Sequence, residues 1–518
     1  ARELQRELGM LDTLEAAQLL TSVGLAKRAQ RDLSGALEAY RDAHSAIKRA
    51  GALETPDGAL LLAHIGDAKC AGGNTGEALK IYGQARQIRE RIGMRSLETP
   101  DGALLLMKIG VARHAQGDVS GALEAYLEAR AIRRSTGSLC APDGALLLKN
   151  LGLARADGGD PEGALEAYAE ERRVREHLGT MDTREGAALL TSIGALKRGC
   201  GDLPGALAAY EEARRVWERM GPGAVESAEG AALLMRIGVA RHMSDDPDGA
   251  LEAYEESRRI CEVLGTLETN DGARLLRNIA IAKSARGDID GQLEAYAEAC
   301  RIRKSTGTLT TPNGALLLFN MGDVRRAHGD LEGALQAYAE ARRIREATST
   351  LDTPDGAQLL KSIGAAKGDC GDYDGALRAY TEALRVRAGT GTLESIDGVH
   401  LLQSMGTLKD DAGDHGGALE AYVEARQIRE RTGTLETPCG VQLLKTIGAA
   451  HDDAGDLDRA LETYAEARGI CERTGTLESP DGAHLLMNIG VAACAQGDLN
   501  SAIEAYSEAR RIRERTGT

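Results

Sequence analysis

Aromatic residues are scarce: one Trp, one Phe and 13 Tyr make up 3% of the 518 residues. A core with so few large rings must be thin and close-packed. Apolar runs long enough to span a bilayer are missing, so no membrane-crossing helix is expected. No signal-peptide pattern and no N-x-S/T sequon occurs, which speaks against secretion. The nine cysteines are odd in number and scattered, without CxxC or Cys/His ligand spacing. That usage points to a reduced, intracellular compartment, the cytoplasm first, and to no bound metal. Cations are outnumbered, 63 against 79 acidic residues, for a net charge of −16. Nucleic acid and anionic membranes need the opposite sign of field. Catalytic signatures are missing as well: there is no phosphate-cradling Gly loop, HExxH or nucleophile elbow, so neither enzyme activity nor a cofactor is expected.

What the chain does have is repetition. A glycine in a Leu-Leu-x-x-Ile-Gly context recurs from Gly24 to Gly490, with Ala280 filling one gap, and a tyrosine follows each landmark after sixteen residues, from Tyr40 to Tyr506. This gives twelve units spaced by 42 residues, except for two steps of 44 that put two-residue inserts near 92–99 and 220–227. A fixed period in this range is the mark of a solenoid, in which each unit buries its apolar face only against its neighbours.

Each unit carries two helix starts. Thr353-Pro354-Asp355-Gly356 and Ser479-Pro480-Asp481-Gly482 combine a capping hydroxyl, a proline suited to the first turn and an acid at the positive end of the dipole. The first helix, A, stops at a glycine such as Gly329 or Gly497; Asp330 or Asp498 then caps helix B. Ala334, Leu335, Tyr338, Ala341 and Ile344 form one face of B at spacings of three and four. The unit reads as an antiparallel pair of roughly 14 and 16 residues with short loops. No strand pattern occurs, so the fold class is all-α.

Leu318, Met321, Gly322, Ala334, Tyr338 and Ala341 resemble the consensus positions of a tetratricopeptide repeat (TPR). The 42-residue length and the Thr-Gly-Thr-Leu-Glu-Thr-Pro-Asp linker are similar to the long-helix repeats of kinesin light chains and nephrocystin-like proteins. Leu replaces the usual Trp of helix A, and Thr-Pro-Asp replaces the kinesin-light-chain His-Pro-Asp. The resemblance implies one alpha-alpha superhelix over 1–518, opening with part of a helix B at 1–8. Residues Ala1 to Gly9 match Ala509 to Gly517 in phase, so neither end carries a capping helix. A piece of a longer array, or ends covered by a partner or by each other, is the expectation.

The resemblance also implies a role as a scaffold for partner proteins or extended peptides, with helix A lining a concave groove. Its variable positions two and three residues before the landmark glycine are the candidate partner contacts: Lys108, Lys149, Asn150, Arg236, Arg277, Asn278, Phe319, Asn320 and Lys361, followed by an acidic phase at Asp369, Asp411 and Asp453. Amides and cations can hold the backbone and carboxylates of an extended peptide. The bland alternative is a merely soluble mixed-charge surface. Trp217 stands at a helix B phase where most units have Arg, so it is expected to be exposed, a possible aromatic anchor. The alternatives to a scaffold are a structural subunit that stacks end to end, or the sensor arm of a longer protein.

Three local features stay open on sequence alone. A basic residue three positions after the glycine, as at Lys27, Arg155, Arg325 and Lys367, reads as a stem over apolar surface with its head on helix B carboxylates, or as a phosphate ladder. Gln292 and Glu171 replace packing alanines and mark soft spots or points of insertion. Asp245-Asp246-Pro247-Asp248-Gly249 lacks the ligand pattern of a calcium loop and reads as an A–B turn.

Overall fold

The computed structural model describes residues 13–517. The segment expected to continue a helix B at 1–8 lies outside them. All regular structure among the described residues is helical, with 24 of the 26 α-helices in twelve consecutive antiparallel pairs, two short helices between repeats and one 3₁₀ turn. The chain divides into two compact units, Ala1–Leu264 and Gly265–Thr518.

In the first unit, repeat 1 pairs α1 (Leu14–Ala29) with α2 (Leu33–Arg49), and repeat 2 pairs α3 (Pro56–Ala71) with α4 (Thr75–Ile92). A short α5 (Met94–Leu97) precedes repeat 3, α6 (Pro100–Ala115) and α7 (Val119–Ser135). Repeat 4 is α8 (Pro142–Asp157) with α9 (Pro161–Leu178), and repeat 5 is α10 (Arg184–Gly199) with α11 (Leu203–Arg219). A second short helix, α12 (Pro222–Val225), leads into repeat 6, α13 (Ala228–Met243) and α14 (Pro247–Val263).

In the second unit, repeat 7 pairs α15 (Asn270–Ala285) with α16 (Ile289–Ser305), and repeat 8 pairs α17 (Pro312–Ala327) with α18 (Leu331–Ala347). Repeat 9 follows as α19 (Pro354–Asp369) and α20 (Tyr373–Gly389), and repeat 10 as α21 (Ile396–Asp411) and α22 (His415–Arg431). Repeats 11 and 12 are α23 (Pro438–Asp453) with α24 (Leu457–Thr474), and α25 (Pro480–Gln496) with α26 (Leu499–Thr516). Within each unit a B helix packs between the A helix of its own repeat and that of the next, and most consecutive A helices touch.

The caps follow the sequence logic. Thr353 Oγ1 accepts from the Gly356 N–H at 3.3 Å, and Asp330 Oδ1 accepts from the Gly333 N–H at 2.9 Å. Asp246 does the same for Gly249 at 2.9 Å, so the Asp-rich segment is a turn and an N-cap. Gly329 and Gly433 close their helices at φ +79° and +66°, the left-handed region open to glycine. The helices run longer than the sequence implied, with 16 residues in α17 and 17 in α18, because the caps sit outside the apolar pattern. The two inserts form helices of their own, α5 and α12.

Packing explains the landmark pair. A methyl added to Gly322 would stand 2.5 Å from Cε1 of Tyr338, so the ring lies flat on a helix that has no side chain there. The glycine of Thr-Pro-Asp-Gly has a second role that the caps do not reveal. A Cβ on Gly356 would overlap the carbonyl oxygen of Leu351, so the linker folds back against the helix it precedes.

The basic residue after each landmark fastens the A–B turn. Arg325 donates to the Gly333 carbonyl at 3.1 Å, Arg155 to that of Gly163 at 2.7 Å, and Lys367 lies 3.3 Å from Asp372. These heads are engaged with helix B, as the structural reading of that phase holds. On the other side of the B helices, Arg172 reaches Glu176 and Glu212 of the next repeat, and Arg342 reaches Glu346 and Glu382. Such half-exposed pairs add little each.

Candidate functional site

The face built by the A helices is set by one position near the end of each B helix. Eight repeats carry arginine there, and it is not a surface residue. Arg89, Arg133, Arg345 and Arg387 are buried, with stems running under the next repeat and guanidinium groups at its helix start. Arg133 Nη1 donates to the Ser138 carbonyl at 3.3 Å, and its Nη2 lies 3.5 Å from Asp143. Arg345 makes the same pair of contacts with Thr350 and Asp355, and Arg387 meets Ser395 and Asp397. These three arginines thus plug slots between consecutive A helices.

Four repeats lack the plug, carrying Ile47, Trp217, Cys261 and Cys471 instead. Trp217 was expected to be exposed; it is only 4% exposed and packs with Val216, Leu233 and Ile237. The misreading has a physical cause: the arginine that defines this phase is itself buried, so it does not mark solvent.

Around Trp217 the slot opens into a recess of about 450 Å³. Lys149, Arg184, Glu185, Thr191, Ser192, Glu229 and Arg236 line it, over a floor of Trp217 and Leu233. Arg184 and Glu229 approach to 3.7 Å. Glu185 is held below the usual carboxylate range by its own backbone N–H and then by the Thr183 hydroxyl. Thr191 and Ser192 donate to carbonyls of their own helix at 2.8 and 3.0 Å, which leaves their oxygens able to accept. Three of the ten expected partner residues, Lys149, Trp217 and Arg236, converge here.

The others lie elsewhere. Asn150 is half-buried on α8, outside the recess. Lys108 is committed to an ion cluster: Asp67 accepts from Lys108 Nζ at 2.8 Å, Arg28 Nη1 at 2.7 Å and the Tyr82 hydroxyl at 2.9 Å. Burial pushes the Asp67 carboxyl up, but His64, Lys108 and Arg28 outweigh it and hold it far below the usual range.

In the second unit, Arg277, Asn278, Phe319, Asn320 and Lys361 are all half-buried. The Phe319 ring sits 6.1 Å from that of Tyr338 and packs on the core rather than standing free. Arg277 and Asn320 face the Tyr296 phenol, which burial pushes up and hydrogen bonds from Gln292 and Asn320 pull back. Burial lowers the Lys361 ammonium, with Asp397 opposing and Arg387 and Arg326 reinforcing. In the acidic phase, Asp369 pairs with Arg326 at 3.0 Å, while Asp411 and Asp453 end their helices.

Glu171 is fully buried and bonds Arg175 at 2.7 Å on its own helix. The repeat 4 arginine is thus tied to a carboxylate of its own helix, while its charge still acts on Glu185 at the start of α10. Burial raises the Glu171 carboxyl against the pull of Arg175 and Lys149. Sequence reasoning missed the slots, although a signal was there: Arg133/Asp143, Arg345/Asp355 and Arg387/Asp397 recur at one spacing.

The family model described as "Tetratricopeptide repeat" matches residues 196–262 and 441–515. Those segments hold the Trp217 and Cys471 slots, and the paired helices with their Gly–Tyr contacts run through the repeats outside them. The chain belongs to the tetratricopeptide-repeat superfamily. Among solved structures, this TPR chain is similar to BtubC (BKLC) from P. vanneervenii, at 20% identity over 44% of this chain and 92% of that one, with a TM-score of 0.38. It is also similar to a kinesin-light-chain protein of Podosopora anserina with nearly identical TPR-like repeats, at 17% identity over 40% and 97% of the two chains, with a TM-score of 0.37. No curated protein matches the chain. None of its described helices is long and apolar enough to cross a membrane.

Proposed function

We propose that this TPR chain is a non-enzymatic scaffold that binds partner proteins or extended peptides along its A-helix face, with the Trp217 recess as the principal contact. One observation carries this reading: Lys149, Trp217 and Arg236 come from three successive repeats and line a single cavity. Its mix of cations, hydroxyl acceptors and an apolar floor suits a peptide backbone and an acidic or amide side chain. Asn150, Arg277, Asn278, Asn320 and Lys361 are secondary contacts in this proposal, while Lys108 and Phe319 are taken up by Asp67 and the core. A reducing compartment such as the cytoplasm would keep the nine cysteines free.

The test is Trp217→Arg, which restores the residue used in eight repeats. The new guanidinium has Glu229 within the slot, as Arg133 has Asp143, so the fold is kept and the recess filled. Partners captured by the parent chain should bind the variant about tenfold more weakly or worse, as for a central interface aromatic. An unchanged partner set and affinity, with an unchanged circular-dichroism melt, would overturn the proposal.

Self-association is the second reading, favoured by repeat 12. Leu499 and Ile503 are 59% and 64% exposed, whereas their counterparts Leu457 and Leu461 are half-buried. If this face joins copies, sedimentation equilibrium should detect dimers that vanish in Leu499→Glu/Ile503→Glu. A monomer at all concentrations removes this reading.

A further inference from the structure

The second open slot has a different chemistry. Where Arg345 and Arg387 fill theirs, repeat 11 has Cys471, which is 4% exposed. The shorter side chain leaves a cavity of about 370 Å³ between α23, the end of α24 and the start of α25. Gln442, Thr476 and Ser479 line it together with two groups of special interest, the Cys471 thiol and Lys445.

Lys445 is 6% exposed, and among the described residues it forms no ion pair and no hydrogen bond through its ammonium. Its stem is packed while its ammonium opens onto the cavity, where it can meet an anion formed beside it. Asp481 lines the same cavity without coming within ion-pair distance. A thiolate is the reactive form of cysteine, and a neighbouring cation favours it. A thiol and an unpaired ammonium lining one cavity large enough for a small molecule are the parts of a reactive cysteine. A buried structural cysteine would have neither the space nor the charge.

We infer that Cys471 is a modification site: the cavity admits a small hydroperoxide, and Lys445 positions and stabilises the thiolate that it oxidises. The thiolate attacks the terminal peroxide oxygen; an S–O bond forms and the O–O bond breaks. The departing alkoxide or hydroxide takes up the proton the thiol released. Sulfur is oxidised by two electrons to the sulfenic acid, and the peroxide is reduced to an alcohol or water. This inference does not depend on the Trp217 recess, which lies in other repeats.

The experiment exposes the full chain to hydrogen peroxide with a 1,3-diketone sulfenic-acid trap and follows adducts at each cysteine by peptide mass spectrometry. Cys300 and Cys140 are the internal references. Cys300 is half-buried and its thiol is pushed up to about 11, first by burial, whereas Cys140 is exposed. Cys471 should be trapped about tenfold faster than Cys300. Lys445→Gln should slow Cys471 about fivefold, because the cation that lines the cavity with the thiol is gone. Cys140 should be unaffected, and Lys445→Arg should keep the parent rate. A Cys471 rate no higher than that of Cys300 overturns the inference without any variant. So does an unchanged Cys471 rate in a folded Lys445→Gln protein.

Discussion

Replacing Tyr126 by alanine is expected to destabilise the first unit by about 3–5 kcal/mol, the range for deleting a large buried ring. The same change at Tyr506 should cost clearly less, about 2 kcal/mol, since burial is what the ring contributes. Both tyrosines lie on a landmark glycine, but Tyr126 is 1% exposed and Tyr506 is 38% exposed. The damage at Tyr126 should also be local, because each repeat is held only by its neighbours. Urea denaturation gives the cost, and amide hydrogen exchange gives its distribution. Protection should fall most in α4, α6, α7 and α8. Equal costs at the two sites, or a uniform loss across repeats 1–6, would refute this account of the packing.

Asp67→Asn should have a comparable effect from a different source. Asp67 is the one carboxylate between Arg28 and Lys108, and its loss leaves two cations facing each other in a half-buried place. Breaking such a cluster costs about 3–5 kcal/mol. The pH dependence has a definite sign. Burial pushes the Asp67 carboxyl up, but hydrogen bonds and charge from His64, Lys108 and Arg28 bring its folded value well below that of a free aspartate. Its contribution is therefore present above the unfolded value of about 3.9 and is lost as pH falls through the folded value. The stability gap between parent and variant should be full at pH 7 and shrink steadily below about pH 4. A gap that is the same at pH 7 and pH 3 would mean that shape, not charge, is what Asp67 supplies.

The repeat, the helix pairs and the caps were legible in the sequence because they are local. Thr353 and Gly356 are three residues apart, as are Asp330 and Gly333, and a cap needs nothing further away. Gly329 had to be left-handed for a reason contained in its own turn. The slots are different. Whether Arg133 is solvated or buried depends on the Ser138 carbonyl and on Asp143, which belongs to the next repeat. Read within one repeat, an arginine late in helix B complements the dipole and points to water, and Trp217 inherits that error. The same reach across a repeat boundary hid Lys108, whose charge is spent on Asp67 one repeat earlier. It also hid the fold-back of Leu351 onto Gly356, which no capping rule requires.

The buried arginines have a consequence for how the array could be counted by anything that touches it. Each is a guest supplied by the host: its guanidinium sits where a visiting side chain would have to go, already neutralised by an aspartate or a carbonyl. Repeat number then says little about valency. What matters is how many positions carry a residue too short, or too differently shaped, to act as its own occupant, and a single codon change to or from arginine alters that number without disturbing the helices around it.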